Sequence, residues 1–464
     1  MRIQNLGPIS DAHFEFNDGL IFLGPNNSGK TYVSYALYGF FKSIFTNRYK
    51  LISEDEFLEL ISKKELKVEK KELSTRFLNQ MIKYLEKNKD EILSKTFKVS
   101  QDYFSESEIV FEAEKLFTYL FNKFEEKQRI NTGIFIDRYL YRLNLQLVDD
   151  FLIINIISVE PRSIFMREEE SDDIIVPDET SMKQLLKKNY KVLTNFINIR
   201  VQDYLFSEPN IIYIPAERNG LNVFRNELLI DRSSMFDSLE KNKKLNESTY
   251  PQPISDYLDF INRVQLSPSE KKVDKINKDS FNIFSEKILK GKYEVKMENE
   301  VYFRQLYGKN SKGLMYKREE IPFHIASSSA KTLYGLDYYF REMFKEGDIL
   351  FIDEPEMNLD PNTQIEMAIF LAKCIELGLK VIISTHSDYI IRSFTNYLLS
   401  NKVNNKKAQL QYNQVTTYIL DENKIKQIDS LINIDNLGIF DNPSSKLEDE
   451  YYLLLDNLID SEDD

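Results

Sequence analysis

The sequence predicts an α/β fold with a mixed central sheet and a large, mainly helical insert lobe. Four short apolar runs, at residues 20–23, 211–214, 349–352 and 381–383, are typical of buried strands. Apolar residues at helical spacing follow the first run, and several amphipathic helical patterns fill the long stretch that comes after it. At 464 residues the chain exceeds the size at which one hydrophobic core stops growing, so two lobes are expected.

Composition and charge describe an ordinary globular protein and exclude several functional classes. The apolar content of 42% and the charged content of 29% are typical of soluble domains. The net charge of −13 argues against a surface that binds nucleic acid as a whole, although a local basic groove stays open. The single cysteine, Cys374, excludes an internal disulfide and a multi-cysteine zinc site. No segment is typical of a signal peptide or a membrane span, so we expect a cytoplasmic protein without membrane contact.

Residues 24–31 fit the phosphate-binding loop pattern G-x-x-x-x-G-K-[ST] between a predicted strand and a predicted helix. Two glycines let the backbone curl so that its N–H groups face phosphate oxygens, and the helix adds the positive end of its dipole. Lys30 is expected to reach the β- and γ-phosphates of a nucleotide, and the Thr31 hydroxyl to bind Mg²⁺. The predicted binding residues of this loop are Gly24, Pro25, Asn26, Asn27, Ser28, Gly29, Lys30 and Thr31.

Acidic residues follow the third apolar run, and a histidine follows the fourth. Asp353 is expected to orient the Mg²⁺ shell, and Glu354 to polarise a water for in-line attack on the γ-phosphate. Ligands bind at the carboxyl ends of strands in open α/β sheets, so His386 is placed to donate to the γ-phosphate. The order and spacing of these motifs predict an NTP-hydrolysing site with Glu354 and His386 as catalytic residues.

Two further segments each admit two interpretations. Ser327, Ser328 and Ser329 precede a predicted helix, where serine commonly caps the N-terminus. Next to the acidic strand, the same serines also suit a segment that contacts nucleotide. The turn at residues 215–220, with the sequence PAERNG, either lies beside a ligand or is an ordinary turn after a strand.

The helical patterns divide the chain into a split core and an insert. We expect residues 1–45 and 206–430 to form the core, residues 46–205 to form the insert lobe, and residues 431–464 to form a C-terminal helix and acidic tail. The insert is too long for a connecting loop and has its own apolar helical faces, so it should fold as a lobe. Residues 151–157 are rich in β-branched side chains and predict a strand within it.

The order of these motifs resembles the ABC-type ATPase heads of the SMC, RecF and OLD-like families, which are P-loop NTPases. The segments that carry the resemblance are GPNNSGKT, YIPAERNGL, ASSSAKTL, FIDEPEMNLDP and ISTHSDYII. Within these families the chain looks most like the bacterial OLD-like AAA ATPases, many of which belong to anti-phage defence systems. The resemblance covers about residues 1–45 and 210–430, and it leaves the insert unexplained.

The resemblance implies a role for each residue of the predicted site. Lys30 and Thr31 would bind phosphate and Mg²⁺, and Asp353 would complete the Mg²⁺ site. Glu354 would be the catalytic base, and His386 would be the switch histidine. The cofactors implied are therefore ATP and Mg²⁺.

The resemblance also implies residues that face a second subunit. Ser327 occupies the signature serine position, and residues 358–360 occupy the D-loop, with Asp360 at its end. Ser328 and Ser329 stand where the wider superfamily prefers glycine, which puts the strength of signature binding in doubt. A phosphate loop alone leaves the γ-phosphate open to water, and the N-terminus of a partner's signature helix suits an anion there. We therefore expect a homodimer or a higher homo-oligomer.

The pattern leaves two classes of function open and argues against a third. The first is an ATPase that regulates or scaffolds a separate effector, a nuclease or a toxin, in anti-phage defence. The second is a DNA-repair or chromosome-maintenance ATPase of the RecF or SMC kind that binds DNA directly; long arms and a cysteine hook are missing, which favours the first. A self-contained OLD nuclease would need a clear acidic cluster in strand context after His386, and the sequence has none there. The insert either docks the effector or builds the homo-oligomer.

Overall fold

The chain divides into two units by its internal contacts. The first unit is Met1–Phe41, Asp90–Val110 and Pro209–Asp464, and the second is Lys42–Lys89 and Phe111–Glu208. The computed structural model describes residues 1–121, 129–136, 139–161, 179–206, 208–225, 227–228, 250–262, 282–296, 300–311, 313–404, 409–421, 424–428 and 450–451. The predicted C-terminal helix and tail at 431–464 lie outside these residues, apart from 450–451.

A nine-stranded sheet organises the described part of the first unit. Numbered along the chain, its strands are β1 (Arg2–Leu6), β2 (Ile9–His13), β3 (Gly19–Leu23), β5 (Glu108–Val110), β9 (Ile211–Ile214), β14 (Ile349–Asp353), β15 (Lys380–Thr385), β16 (Val415–Asp421) and β17 (Lys424–Ile428). Their order in the sheet is β5-β1-β2-β17-β16-β3-β15-β14-β9.

Parallel and antiparallel pairs both occur in this sheet. Strands β16, β3, β15, β14 and β9 run parallel to one another. Strand β1 is antiparallel to β2 and to β5, and β17 is antiparallel to β16. Every residue of β3, β14 and β15 is buried, as expected for strands covered on both faces. The predicted α/β class with a mixed central sheet is confirmed.

The helices of the first unit include the one that follows the phosphate-binding loop. In chain order they are α1 (Lys30–Thr46, in this unit as far as Phe41), α4 (Lys89–Phe97), α8 (Arg218–Val223), α9 (Gln252–Asn262), α10 (Ser328–Tyr338), α11 (Pro361–Glu376) and α12 (Asp388–Val403). Helix α1 packs on the sheet through Tyr38 and Phe41, whose rings lie 5.6 and 6.0 Å from the ring of Phe351 on β14. The phosphate-loop helix and the acidic strand therefore share one core.

A smaller antiparallel sheet precedes α10. It consists of β10 (Gly291–Val295), β11 (Val301–Asn310), β12 (Gly313–Tyr316) and β13 (Ile321–Pro322), in the order β10-β11-β12 with β13 paired to β11. The hydroxyl of Tyr293 on β10 donates a hydrogen bond to the carbonyl of Ala330 in α10. This sheet thus supports the helix that begins with the predicted signature serines.

The second unit combines helices with an antiparallel sheet. Its described helices are α2 (Glu54–Lys63), α3 (Lys70–Lys87), α5 (Ala113–Phe121), α6 (Glu179–Lys188) and α7 (Tyr190–Leu205). Its strands are β4 (Glu65–Glu69), β6 (Ile130–Ile136), β7 (Tyr139–Val148) and β8 (Phe151–Pro161), in the order β4-β8-β7-β6. The strand predicted at 151–157 lies in β8. Phe77 stacks on Phe206 at 4.2 Å and contacts Phe121 at 5.2 Å, so this unit has an aromatic core of its own.

One boundary of the predicted insert differs from the structure. The sequence pattern predicts one lobe for all of residues 46–205, whereas Asp90–Val110 belongs to the first unit. The reason is that β5 returns to pair with β1 through Ile109 and Ile3, and it thereby extends the nine-stranded sheet. No described helix is long and apolar enough to cross a membrane.

Candidate nucleotide-binding site

The loop between β3 and α1 has a backbone shape that requires glycine at two positions. A Cβ atom on Gly24 would lie 2.3 Å from the carbonyl oxygen of Leu420, which is far inside contact distance. Gly29 has a φ of +97°, and a Cβ there would lie 2.9 Å from the side chain of Ile9. Both close approaches fix the curl of residues 24–29 before α1 begins at Lys30.

Lys30 lies folded over this loop. Its Nζ donates to the carbonyl oxygens of Gly24 at 2.9 Å and Pro25 at 2.8 Å. Burial lowers the pKa of Lys30 to about 8, although the nearby carboxylates of Glu354 and Asp353 oppose this shift. A partly desolvated ammonium gains most from an anion, so a phosphate can replace the two carbonyl contacts at a net gain.

The Ser28 hydroxyl is a second loop group with unused hydrogen-bonding capacity. It is buried, and among the described residues it has no hydrogen-bond partner. A buried hydroxyl without a partner is costly, and a ligand phosphate would satisfy it. Thr31, which follows Lys30 as the second residue of α1, is exposed at the same end of the helix.

Asp353 is the last residue of β14, and both of its carboxylate oxygens accept hydrogen bonds. The Ser384 hydroxyl donates to Oδ1 at 2.5 Å, and the Tyr213 hydroxyl donates to Oδ2 at 2.5 Å. Burial raises the pKa of Asp353 to about 6, even though these hydrogen bonds lower it. A divalent cation would favour the ionised carboxylate and offset the cost of its burial.

The residues present fit a Mg²⁺ ion that is completed by phosphate and water. Mg²⁺ is usually held through one or two carboxylates together with substrate phosphates, rather than by a cage of protein ligands. Asp353 and Thr31 supply one carboxylate and one hydroxyl of that kind. No cluster of three or more histidine, cysteine or acidic side chains suited to a metal occurs in the described parts of the chain.

Glu354 and His386 lie next to each other at the ends of adjacent strands. His386 Nε2 is 3.5 Å from Glu354 Oε1. The hydrogen bond from His386 lowers the pKa of Glu354, so this carboxylate is ionised at neutral pH, as a general base must be. Glu354 has a left-handed φ of 49°, and its backbone N–H donates to the Ser384 carbonyl at 2.8 Å.

Strand order brings the predicted residues to one edge of the sheet. Strand β15 pairs with β3 and with β14, and all three are parallel. Leu23, the residue before the loop, is paired with Thr385, and Asp353 is paired with Ser384. Because the carboxyl ends of parallel strands meet at the same edge, the loop, the acids and His386 are neighbours.

Glu356 also belongs to this site, although the sequence analysis gave it no role. Its Oε1 accepts hydrogen bonds from the Thr385 hydroxyl and from the His386 backbone N–H, both at 2.8 Å. Its Oε2 is buried and has no partner among the described residues. Glu356 therefore fixes the backbone that carries His386. Its position in the motif FIDEPEMNLDP gave no signal that would separate it from a surface acid.

Arg218 gives the PAERNG turn a structural role. The side chain is wholly buried and donates from Nη1 to the Asp353 carbonyl at 2.6 Å, and from Nη2 to the Glu354 carbonyl at 2.6 Å. Nη1 also donates to the carbonyl of Pro215 at 3.0 Å. The turn thus holds the backbone of the acidic residues. It also lies beside the site, because the charge of its Glu217 contributes to the raised pKa of Asp353. The sequence could not show this, because Asp353 and Glu354 are more than 130 residues away from Arg218.

The predicted signature and D-loop residues share a separate cavity of about 300 Å³. Ser327 caps α10 by accepting a hydrogen bond from the Ala330 N–H at 3.2 Å, and its hydroxyl lies 3.0 Å from that of Ser329. Asp360 caps α11 by accepting from the backbone of Thr363 at 3.2 Å. Within one chain, capping of a helix N-terminus is therefore a sufficient role for Ser327 and for Asp360. The residues that line the cavity include Lys290, Ser327, Ser329, Asn358, Leu359 and Asp360.

A second cavity, of about 680 Å³, lies beside the phosphate-binding loop. It is lined by Gly7, Pro8, Ile9 and residues 102–107, among others. Pro8 and Ile9 are also the residues that a Cβ on Gly29 would touch, which places this cavity next to the loop.

Comparison with known proteins gives one family match. The AAA ATPase domain family matches residues 1–391. No curated protein matches the chain.

Two similar solved structures are both Smc heads. One is the Smc head bound to the C-winged helix domain of ScpA, with 10% identity over 93% of this chain and 97% of that chain, at a TM-score of 0.29. The other is the Smc head domain with an extended coiled coil bound to the C-terminal domain of ScpA derived from Pyrococcus furiosus, with 10% identity over 97% and 98%, at a TM-score of 0.31. TM-scores this low support no conclusion about this chain. The family match covers most of the sequence. The chain therefore belongs to the AAA ATPase domain family and is an ATP-hydrolysing P-loop NTPase.

Proposed function

We propose that this cytoplasmic ATPase hydrolyses Mg²⁺–ATP at composite sites between two copies of the chain and regulates or scaffolds a separate effector, a nuclease or a toxin, in anti-phage defence. The observation that carries the catalytic part is the meeting of Lys30, Asp353, Glu354 and His386 at one edge of the sheet. The OLD-like character of the sequence motifs supports the part that concerns defence.

Each residue of this edge has a task in hydrolysis. Lys30 exchanges its two carbonyl contacts for the β- and γ-phosphates, and the N–H groups of the loop bind phosphate oxygens. Asp353 and Thr31 would hold Mg²⁺, which neutralises charge on the phosphates when it is bound. Glu354 accepts a proton from the attacking water, and His386 orients Glu354 and donates to the γ-phosphate.

A second copy completes the site in this proposal. The edge described above leaves the γ-phosphate facing solvent, whereas the cavity around Ser327 and Ser329 lies at the N-terminus of α10. The half-exposed ammonium of Lys290 lines the same cavity, where it lies 3.9 Å from the carboxylate of Asp360. Two copies placed head to head would cover each ATP with the partner's α10, so that ATP joins the pair and hydrolysis releases it. Larger homo-oligomers could be built from such pairs.

The second unit is the proposed docking element for the effector. It has an aromatic core of its own, and the nucleotide site uses none of its residues. The negative net charge favours a protein partner over direct binding along DNA. A DNA-repair or chromosome-maintenance role is the alternative, and DNA dependence of the ATPase decides between the two.

The experiment compares the purified parent chain with Glu354→Gln and Lys30→Ala. Lys30→Ala should lose ATP binding, and Glu354→Gln should bind ATP, lose turnover and accumulate as a pair in light scattering, because an amide cannot accept the water proton. Turnover of Glu354→Gln at the parent rate would refute the assignment of the base.

A second set of assays separates the effector role from the alternative. The parent chain alone should cut neither DNA nor RNA with Mg²⁺ or Mn²⁺, and duplex DNA should change its ATPase rate by less than about twofold. A large stimulation by DNA that weakens with salt would support the DNA-repair alternative instead.

A further inference from the structure

Helix α8 carries two wholly buried polar side chains on one face. Arg218 and Asn222 are four residues apart, which places them on the same side of a helix, and both are 0% exposed. Burying an arginine and an asparagine costs free energy unless every polar group finds a partner. What these two side chains bind therefore indicates what the helix is for.

The Arg218 end of this face holds the turn that carries the catalytic acids. Its guanidinium donates to the carbonyl oxygens of Asp353 and Glu354, each at 2.6 Å. Glu354 is held in a left-handed backbone conformation, which a residue other than glycine adopts only with support from its surroundings. The two short hydrogen bonds from the Arg218 guanidinium provide that support.

The Asn222 end holds the helix that begins with the signature serines. Its Nδ2 donates to the Lys331 carbonyl of α10 at 2.8 Å, and its Oδ1 accepts from the Tyr257 hydroxyl of α9 at 2.8 Å. Tyr257 itself lies so close to α10 that a Cβ on Gly335 would be 2.4 Å from its hydroxyl. The asparagine is therefore fixed by both of its polar atoms, and α10 cannot shift without moving it.

A second connection joins the same two parts of the chain. Asn358, four residues after Glu354, donates from Nδ2 to the Thr332 hydroxyl of α10 at 2.9 Å. Lys331 and Thr332 are consecutive residues of α10. Lys331 is bound by Asn222 of α8, the helix that supports the acid turn at residues 353–354, and Thr332 is bound by Asn358, which follows that turn. Hydrogen bonds therefore connect α10 to the acid turn by two routes.

We propose that Arg218 and Asn222 are positioning residues that couple the acid turn of one nucleotide site to the signature helix α10 of the same copy. The coupling rests on the proposed function, in which α10 covers the ATP of the partner. Closure of α10 over the partner's ATP then sets the geometry of Glu354 in the copy's own site. The two sites of a pair become cooperative, with ATP at one site favouring hydrolysis at the other.

The test of the Asn222 end measures cooperativity. Asn222→Leu keeps the branched shape of the side chain and removes both hydrogen bonds. In the parent, the Hill coefficient for ATP in steady-state hydrolysis should be well above 1, with an upper limit of about 2 for two sites. In Asn222→Leu it should fall to about 1. Asn401→Leu is the matched control, because Asn401 is another buried asparagine of the first unit whose Nδ2 donates to a backbone carbonyl, that of Leu410. This control should be destabilised to a similar extent and keep the parent Hill coefficient.

The test of the Arg218 end separates turnover from binding. Arg218→Lys keeps the charge but cannot reach both carbonyls in the fixed geometry of a guanidinium. Its kcat should fall by about tenfold or more while the ATP dissociation constant stays within about twofold, and Arg218→Met should lose still more turnover. Equal loss of binding and turnover in Arg218→Lys would overturn the positioning role.

The outcomes distinguish this inference from the proposed function. ATP-driven association of Glu354→Gln, followed by light scattering, reports on the pair alone. If the pair forms but Asn222→Leu keeps the parent Hill coefficient, the coupling is overturned and the proposed function stands. A parent Hill coefficient of 1 overturns the coupling whether or not copies associate.

Discussion

The hydroxyl of Tyr213 on β9 donates a 2.5 Å hydrogen bond to Oδ2 of Asp353 on β14. The same hydroxyl lies 2.9 Å from that of Ser34, one turn after Lys30 on α1. Burial raises the pKa of Tyr213 well above its usual range, so its proton stays in place for this hydrogen bond. One tyrosine therefore joins the predicted Mg²⁺ ligand to the helix of the phosphate-binding loop.

Replacing Tyr213 with phenylalanine should weaken the response to Mg²⁺. The hydrogen bond from Tyr213 lowers the pKa of Asp353, so its loss should raise that pKa further above about 6. A hydrogen bond to a charged group is worth about 1.5 kcal/mol or more, and the Mg²⁺ concentration for half-maximal ATPase activity should rise by about tenfold at pH 6.5. Magnesium titrations of the ATPase rate measure this.

The pH dependence provides the control for Tyr213→Phe. At pH 8.5 Asp353 is ionised in both proteins, so the difference in Mg²⁺ requirement should shrink, and kcat at saturating Mg²⁺ should stay within about twofold of the parent. An equal difference at both pH values would show that the tyrosine acts on something other than the ionisation of Asp353.

Asp353→Asn should stabilise the nucleotide-free protein at neutral and alkaline pH. The folded pKa of about 6 lies above the usual 3.8, so the native state favours the protonated form. The stability that this proton contributes is present below about pH 3.8 and is lost as the pH rises through 6. Two pKa units correspond to about 3 kcal/mol. Urea unfolding of parent and variant without nucleotide should show a gap that opens between pH 4 and pH 7.

The same variant has a second expected property. Asp353→Asn should hydrolyse ATP at a rate near background, because the amide is a poor ligand for Mg²⁺. A variant that is less stable than the parent at pH 8 by the same margin as at pH 4 would contradict the raised pKa.

ATP binding without Mg²⁺ should weaken above pH 8. The buried Lys30 has a pKa of about 8, and only its protonated form attracts phosphate. Binding of the anion favours the charged form, so ATP binding near pH 8.5 should take up protons. The affinity should fall by roughly tenfold per pH unit above pH 8. Calorimetry in two buffers that differ in ionisation enthalpy measures the proton uptake directly.

Lys30→Arg is the control for this titration. Arginine keeps its charge throughout the range, so any residual ATP affinity of the variant should be flat between pH 7 and pH 9.5. A parent affinity that is equally flat would show that Lys30 keeps its proton in the nucleotide-free protein.

Local patterns in the sequence were sufficient for the strand, loop and helix around Lys30 and for the acids after β14. Each of these motifs is contained in a short segment, where apolar runs and glycines determine the local structure. Arg218 and Tyr213 could not be predicted, because their targets on β14 depend on the parallel pairing of β9 with β14. The return of Asp90–Val110 to the first unit was missed because β5 is only three residues long. A strand that short gives no periodic signal.

Ser327→Asp should separate the two roles that the sequence left open for this serine. Aspartate is as good an N-cap as serine, so the variant should keep the capping of α10 and the free energy of unfolding within about 0.5 kcal/mol of the parent. In the proposed pair, however, its negative charge would face the γ-phosphate of the partner's ATP, and like charges at short range repel strongly where water is excluded.

A single copy of Ser327→Asp should therefore bind ATP as the parent does. In the Glu354→Gln background, which should trap the pair, Ser327→Asp should prevent association. Ser327→Ala gives the opposite pattern. It loses the cap, at a cost of about 1 kcal/mol in the free energy of unfolding, but adds no charge, so association with ATP should persist in the same background. Light scattering and urea unfolding of both variants measure the two effects. Association of Ser327→Asp equal to that of the Glu354→Gln background would mean that Ser327 is a helix cap only and does not face the partner's nucleotide.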